Sequence, residues 1–131
     1  MPSVFTLILK GDLPGHFVYR DDACAAFMSI APLKPGHTLV VPVTEVDHWP
    51  DLDEKTLTHL TRISQKIARA IDAAFSPVKV AMMVVGLEVP HVHVHLVPIE
   101  SESDVNFANA TPATSEELAA AASLIRSHLN E

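Results

Sequence analysis

Apolar residues recur along the chain with two periods, and the switches between them mark out the elements. Val4, Phe5, Ile8 and Leu9 keep helical spacing within a first segment, Val4 to Leu13, which predicts a short helix punctuated by Leu13-Pro14-Gly15. His16 to Arg20 reads as a strand, Asp21-Asp22 as a turn and Cys24 to Ile30 as a second strand, so the two form a hairpin. Pro35-Gly36 has the residues of a type II turn, with glycine supplying the positive φ, and His37 to Val41 follows as a β-branched strand ended by Pro42. Asp51 with Glu54 resembles a capping box, and Leu57, Leu60, Ile63, Ile67, Ala70 and Ala74 then recur at helical spacing until Ser76-Pro77. That stretch is the longest helix. Val78 to Val85 is apolar on both faces apart from Lys79, which predicts a central or interface-facing strand interrupted by Gly86. His91 to Val97 alternates strictly, and Pro98 closes it. After a polar loop, Thr114 and Glu117 form a second capping box ahead of Leu118, Ala122, Ile125 and Leu129, a final amphipathic helix. The pattern predicts a mostly antiparallel sheet with helices attached, the α+β class.

Composition narrows the function classes. The 131 residues leave room for one ordinary domain, read as spanning 1–131. With 48% hydrophobic and 19% charged residues, the chain is neither disordered nor low-complexity. Nine Lys and Arg against sixteen Asp and Glu give a formal charge of −7. So acidic a chain gains no counterion-release affinity for a nucleic-acid backbone, while a single nucleotide in a local pocket stays compatible with it. The lone Cys24, set among apolar neighbours, reads as a small buried filler. No apolar run approaches the roughly 20 residues that span a bilayer, and the first residues lack a basic start and long apolar core, so a cytoplasmic location is expected, with no membrane partner.

The chemistry concentrates in His91-Val92-His93-Val94-His95-Leu96-Val97. Alternate residues of a strand share a face, so three imidazoles project one way while Val92, Val94 and Leu96 point into the core. His37 opens another strand, and the four rings converge if those strands are neighbours. Near neutrality an imidazole serves as nucleophile, proton donor or acceptor, and three in a row suit a phosphorus centre, where positioning and charge stabilisation carry most of the catalysis. Two structural alternatives stand beside this one: a solvated polar strand face, and a zinc site using His91 with His93 or His95, for which no third ligand is marked.

The His-φ-His-φ-His-φ-φ run, together with Pro35-Gly36-His37-Thr38-Leu39-Val40-Val41-Pro42, Phe17-Val18-Tyr19-Arg20-Asp21-Asp22, Ala26-Phe27 and Gly86 to Pro98, resembles the histidine-triad (HIT) superfamily of nucleotide hydrolases and transferases. It is most similar to the small nucleoside-phosphoramidate hydrolases of the histidine triad nucleotide-binding branch and their bacterial relatives. The resemblance implies a HIT-like fold, with a five-stranded sheet, one long helix and shorter N- and C-terminal helices. It implies a homodimer, with the long helix and the Val78 to Val85 strand at the interface, acting on a purine nucleotide conjugate. By position, His93 would be the nucleophile that forms a nucleotidyl-histidine. His95 would contact the phosphoryl oxygens and leaving group, and His91 and His37 would form a relay fixing the nucleophile's tautomer. Val4, Phe5, Ile8, Leu13, Phe27, Ile30 and Leu39 would line the base and ribose pocket, and Gly86 would let the backbone approach the phosphate.

Three departures bear on the ligand. Ser29 stands where the family usually carries an aspartate for the ribose hydroxyls, and a neutral hydroxyl is the weaker acceptor by about 1 kcal/mol per bond. Leu87 and Glu88 stand where polar contacts to the phosphate or leaving group are often found; Glu88 is expected to face outward or to meet a cationic leaving group. The N-terminal cysteines that help bind zinc in some bacterial relatives are missing, so no structural metal and no cofactor is expected. Activity apart, the resemblance allows a nucleotide-binding regulatory protein with little turnover.

Overall fold

Residues 2–129 are described by the structure, a computed structural model. Helix α1 (Val4–Lys10) is followed by strands β1 (Phe17–Arg20), β2 (Cys24–Met28) and β3 (Thr38–Pro42), then the long helix α2 (Glu54–Phe75), strands β4 (Lys79–Met83) and β5 (Val94–Ile99), and helix α3 (Ser115–Ser127). The five strands form one open sheet in the order β1-β2-β3-β5-β4, every pair antiparallel. The α+β expectation therefore stands.

The sheet divides the core by residue parity. Cys24, Ala26, Met28, Val40, Val94 and Leu96 face α2 and α3 and pack with Leu60, Ile63, Ile67, Ile71, Leu118, Ala122 and Ile125. Each fully buried aliphatic side chain of this kind contributes about 1.5–3 kcal/mol. On the opposite face Phe27, Leu39 and Val41 pack with Phe5 and Ile8 of α1, and Phe17 and Val89 close the cluster. The register Thr38↔Leu96 and Leu39↔His95 between β3 and β5 places His37 beside the histidine run, the neighbourhood on which the convergence of the four rings depends.

Several predicted boundaries move, each for a physical reason. The first helix ends at Lys10 because Gly11 adopts a left-handed cap, so Leu13 lies outside it. The cap of α2 is Asp53, whose side chain accepts from the Thr56 amide at 2.7 Å; Asp51 belongs to a separate 3-10 turn, Trp49–Asp51. Strand β2 stops at Met28 instead of reaching Ile30. The segment read as Val78 to Val85 is a strand only over Lys79–Met83, and it is the sheet edge instead of its centre, with Val78, Met82, Val84 and Val85 exposed. Pro98 does not end the histidine strand. It pairs opposite Val80, and because β3 begins at Thr38, opposite Leu96, it does not extend alongside Pro98, so that flank of Pro98 has no ladder partner to lose. The capping box of Thr114 and Glu117 is present as predicted. Among the described residues no helix is long and apolar enough to cross a membrane.

The turn into β3 closes by a hydrogen bond from the His37 amide to the Lys34 carbonyl at 3.0 Å, with Gly36 at φ +99°. A Cβ on Gly36 would sit 2.7 Å from the Phe75 ring as well as in the left-handed region. Gly36→Ala should therefore destabilise the fold by about 1–3 kcal/mol, read as a lower urea midpoint. An unchanged midpoint would contradict this account of the turn.

Candidate active site

His91, His93 and His95 are all buried, as is His37. His91 lies in a bend and His93 just ahead of β5, so the strand begins at Val94 and not at His91. Val92, Val94 and Leu96 turn into the helix-side core as predicted, and the three imidazoles lie on the opposite side, toward α1. The rings are close: centroids of His93 and His95 are 4.7 Å apart, and those of His37 and His95 are 5.2 Å apart. Phe5 sits edge-on against His93 at 4.8 Å and against His91 at 5.8 Å.

Backbone groups set the protons on these rings. The Leu33 amide, which can only donate, lies 3.0 Å from His37 Nδ1, so that nitrogen is bare and the proton of neutral His37 is on Nε2. His37 Nε2 is 3.0 Å from His95 Nδ1, which must then accept, leaving the His95 proton on Nε2. His93 Nδ1 is 2.7 Å from the His91 carbonyl, which can only accept; Nδ1 carries the proton and Nε2 keeps its lone pair. His91 Nε2 donates in the same way to the Pro42 carbonyl at 2.8 Å. Residue by residue, then, the site offers a nucleophilic lone pair on His93 beside an N–H donor on His95.

Burial favours the neutral form of His37, His93 and His95. Desolvation, helped by repulsion from the His93 ring, pushes His37 down to about 4. Desolvation with repulsion from His93 and His37 takes His95 to about 3. His93 is also lowered from 6.5 by burial, opposed by its bond to the His91 carbonyl and by the charge of Glu88.

A cavity of about 170 Å³ opens onto His93 and His95, lined otherwise by Val85, Gly86, Leu87, Glu88 and Phe107. That is below the roughly 300–1,000 Å³ of sites for drug-sized ligands, and it suits a small group such as a phosphoryl. Gly86 lies in its wall at φ +74°, a conformation that favours glycine; a Cβ there would meet only the Asp47 carbonyl, at 3.9 Å. Leu87 projects into solvent, 90% exposed. Glu88, expected to face outward or to meet a cationic leaving group, lines the cavity while staying exposed, close enough to act on His93.

The other predicted residues separate. Phe5, Ile8, Phe27 and Leu39 form the buried cluster beneath the rings, whereas Val4, Leu13 and Ile30 are exposed, and none of these seven lines the cavity. Ile30 falls beyond the end of β2 and Leu13 beyond the cap of α1, which is why neither is held over the cluster. Ser29 is half-buried, and its amide donates to the His37 carbonyl at 3.0 Å. His37 bonds to His95 and not to His93, and His91 acts on His93 through its carbonyl. The predicted relay is thus two separate contacts. Sequence reasoning missed Phe107, whose ring stands 4.9 Å from His95 and forms a wall of the cavity. Its one signal was a lone aromatic in a polar loop.

A metal on the triad would have few ring nitrogens to use, because both nitrogens of His91 and of His37 and the Nδ1 of His93 and His95 are engaged. Away from the triad, ligand atoms of Asp21, Cys24 and His59 lie within 4.8 Å of one another. Desolvation of the Asp21 carboxylate is outweighed by hydrogen bonds from Tyr19, His59 and the amides of Cys24 and Ala23, which hold it well below the usual range. Burial pushes the Cys24 thiol up to about 12. With its lone pairs so engaged beside a protonated thiol, this cluster pins the β1–β2 hairpin to α2, and Cys24 is the buried filler its neighbours predicted.

Buried neutral histidines make stability depend on pH. Unfolded, His37 and His95 titrate near 6.5; folded, near 4 and 3, so the unfolded chain binds more protons as pH falls below 6.5, and stability drops through that window. The urea midpoint should fall between pH 7 and pH 5, above the range where carboxylates protonate, and the change should shrink in a His37→Gln, His95→Asn double variant. Equal slopes in both proteins would contradict neutral burial.

Residues 10–102 match the model of the HIT domain family. The chain is 31% identical over 106 residues to Protein hit of Bacillus subtilis, covering 77% of this chain and 73% of that one. It is 34% identical over 99 residues to the asymmetrical bis(5'-nucleosyl)-tetraphosphatase of Schizosaccharomyces pombe, covering 69% of this chain and 54% of that enzyme. The crystal structure of a Hit-like protein from Bartonella henselae, determined with an unknown ligand, superposes with a TM-score of 0.86 at 31% identity, covering 96% of this chain and 95% of the other. The histidine run, the sheet that carries it and these likenesses agree, and the chain belongs to the HIT family.

Proposed function

We propose that the protein hydrolyses a nucleoside monophosphate, purine by preference, from a phosphoramidate or related conjugate through a nucleotidyl intermediate on His93. The observation that carries this reading is the bare Nε2 of His93 at the cavity wall, with its proton held on Nδ1 by the His91 carbonyl. His93 Nε2 attacks the α-phosphorus, the P–N bond breaks, and the leaving amine takes a proton from water at the open mouth of the cavity. The positive ring so formed keeps its Nδ1–H on the His91 carbonyl, which offsets the new charge. Water then attacks the same phosphorus, loses a proton to solvent, and releases the nucleoside monophosphate as the P–N bond to His93 breaks. His95 is held as a neutral donor because His37 occupies its Nδ1; its Nε2–H binds a phosphoryl oxygen and shuttles no proton. Glu88 at the rim would meet a cationic leaving group, and Ser29, beside His37, would meet the ribose.

A second reading, a nucleotide-binding regulator with little turnover, is favoured by Leu87, which stands exposed at the mouth and offers no hydrogen bond to a phosphate. Turnover of an adenosine phosphoramidate separates the two. Under the first reading, His93→Ala should lower kcat/KM at least about 10³-fold, and His95→Ala should lower kcat about 10²–10³-fold, the loss of one oxyanion donor. Because only neutral His93 attacks and burial lowers its pKa from 6.5, the acid fall in activity should have its midpoint below pH 6.5. Slow wild-type turnover unaffected by His93→Ala would favour the regulator.

The same reading includes a homodimer. Among the described residues the outer edge of β4 has no strand partner, and Val78, Met82, Val84 and Val85 are exposed on or beside it, an apolar edge that a second copy would cover. Met82→Asp should shift the protein from dimer to monomer in sedimentation; a wild-type monomer would refute this part of the reading.

A further inference from the structure

The His91 ring does not line the cavity at His93 and His95, and it is the most completely enclosed of the triad, with no exposed surface. Its two nitrogens are held from opposite sides. Nε2 donates to the Pro42 carbonyl at the end of β3, and Nδ1 lies 2.6 Å from the hydroxyl of Ser3. A neutral imidazole whose Nε2 carries the proton has a bare Nδ1, and to that ring the Ser3 hydroxyl donates. That hydroxyl has a second acceptor within reach, Thr6 Oγ1 at 3.3 Å, and the shorter contact takes the proton. The same Oγ accepts from the Thr6 amide at 3.1 Å as the N-cap of α1. Ser3 is itself clamped: its amide donates to Glu45 Oε1 at 2.6 Å, and the Thr6 hydroxyl donates to the same oxygen at 2.7 Å. These bonds, from the Ser3 amide and then Thr6, hold the Glu45 carboxyl down to about 2. Glu45 follows β3, Ser3 opens α1 and His91 opens the histidine run, so three separate segments meet at one hydroxyl.

We propose that Ser3, clamped by Glu45, is a positioning residue for catalysis. Its hydroxyl fixes the tautomer and orientation of His91 and thereby aims the His91 carbonyl at Nδ1 of the nucleophile His93. The proposal rests on the hydrolase reading above for its kinetic consequence, but not for its structural one. The coupling is short. The donor ring and the carbonyl belong to one residue, and the carbonyl contact to His93 is 2.7 Å, so a tilt of His91 is felt at the nucleophile directly. Holding the start of α1 also holds Phe5, whose ring lies edge-on to both imidazoles.

The test separates hydroxyl from cap. Glycine is a tolerated N-cap, so Ser3→Gly removes the hydroxyl with little loss at the start of α1. Nitrogen-15 NMR of the histidine rings at neutral pH should find His91 neutral with its proton on Nε2 in the wild type. In Ser3→Gly the His91 resonances should move toward a mixture of tautomers, and the His93 Nδ1–H resonance should shift. With adenosine phosphoramidate, kcat should fall about tenfold, as small misplacements of a catalytic group do, while KM stays within about twofold. Glu45→Gln keeps both acceptor contacts and should retain most of kcat; Glu45→Ala should lose it as Ser3→Gly does. A wild-type His91 carrying its proton on Nδ1, alone or as imidazolium, would overturn the proposal. So would a Ser3→Gly protein with unchanged His91 and His93 resonances. If the wild type shows no turnover, the hydrolase reading fails, and the NMR result still decides the role of Ser3.

Discussion

Everything the site offers depends on backbone groups that can bond in only one sense. An amide can only donate and a carbonyl can only accept, so the Leu33 amide and the carbonyls of His91 and Pro42 decide where three imidazole protons lie. The fourth, on His95, follows from His37. Because these groups belong to the turn before β3, to the end of β3 and to the run entering β5, the tautomers are properties of the fold. A buried imidazole in solution-like surroundings would exchange tautomers; here each alternative would set two donors or two acceptors against each other in a site with little water.

The fold must therefore put β3 beside β5 and keep water away from the rings. The antiparallel register between those strands does the first. The second falls to α1, a helix of only seven residues that would not persist alone and is held by Phe5 and Ile8 against Phe27, Leu39 and Val41. The apolar residues that the family resemblance assigns to a nucleotide pocket thus have a prior duty as the floor beneath the histidines. Their burial lowers the local dielectric and favours the neutral form of His37, His93 and His95, which suits a nucleophile and costs stability in mild acid.

Much of this was legible in the residues. Strict alternation over His91 to Val97 placed three rings on one face, and the Pro35-Gly36 pair located the turn that opens β3. The helical periodicity from Leu57 to Ala70 and the box at Thr114 gave the helices on the far side. What stayed hidden has a common cause. Strand ends, edge position and the partner of each imidazole are set by contacts between distant segments, about which local pattern is silent. Val78 to Val85 reads as central or interface-facing because it is apolar on both faces, and among the described residues it lies at the sheet edge. Asp51 and Asp53 are equally good caps by type, and the Trp49–Asp51 turn decides between them. Phe107 and Ser3 gave almost no signal, since each matters only through a histidine ring on another segment, 12 residues away for Phe107 and 88 for Ser3.

The acidic balance of the chain finds a local counterpart. No Lys or Arg lines the cavity, and Glu88 stands at its rim, so an anionic group there would be bound by N–H donors in place of cationic side chains. Such a site depends on where its few protons lie. Neutron diffraction from a deuterium-exchanged crystal locates them directly. The account requires deuterium on Nδ1 of His93 and on Nε2 of His37 and His95, with none on His93 Nε2; deuterium on His93 Nε2, or on His37 Nδ1, would contradict it.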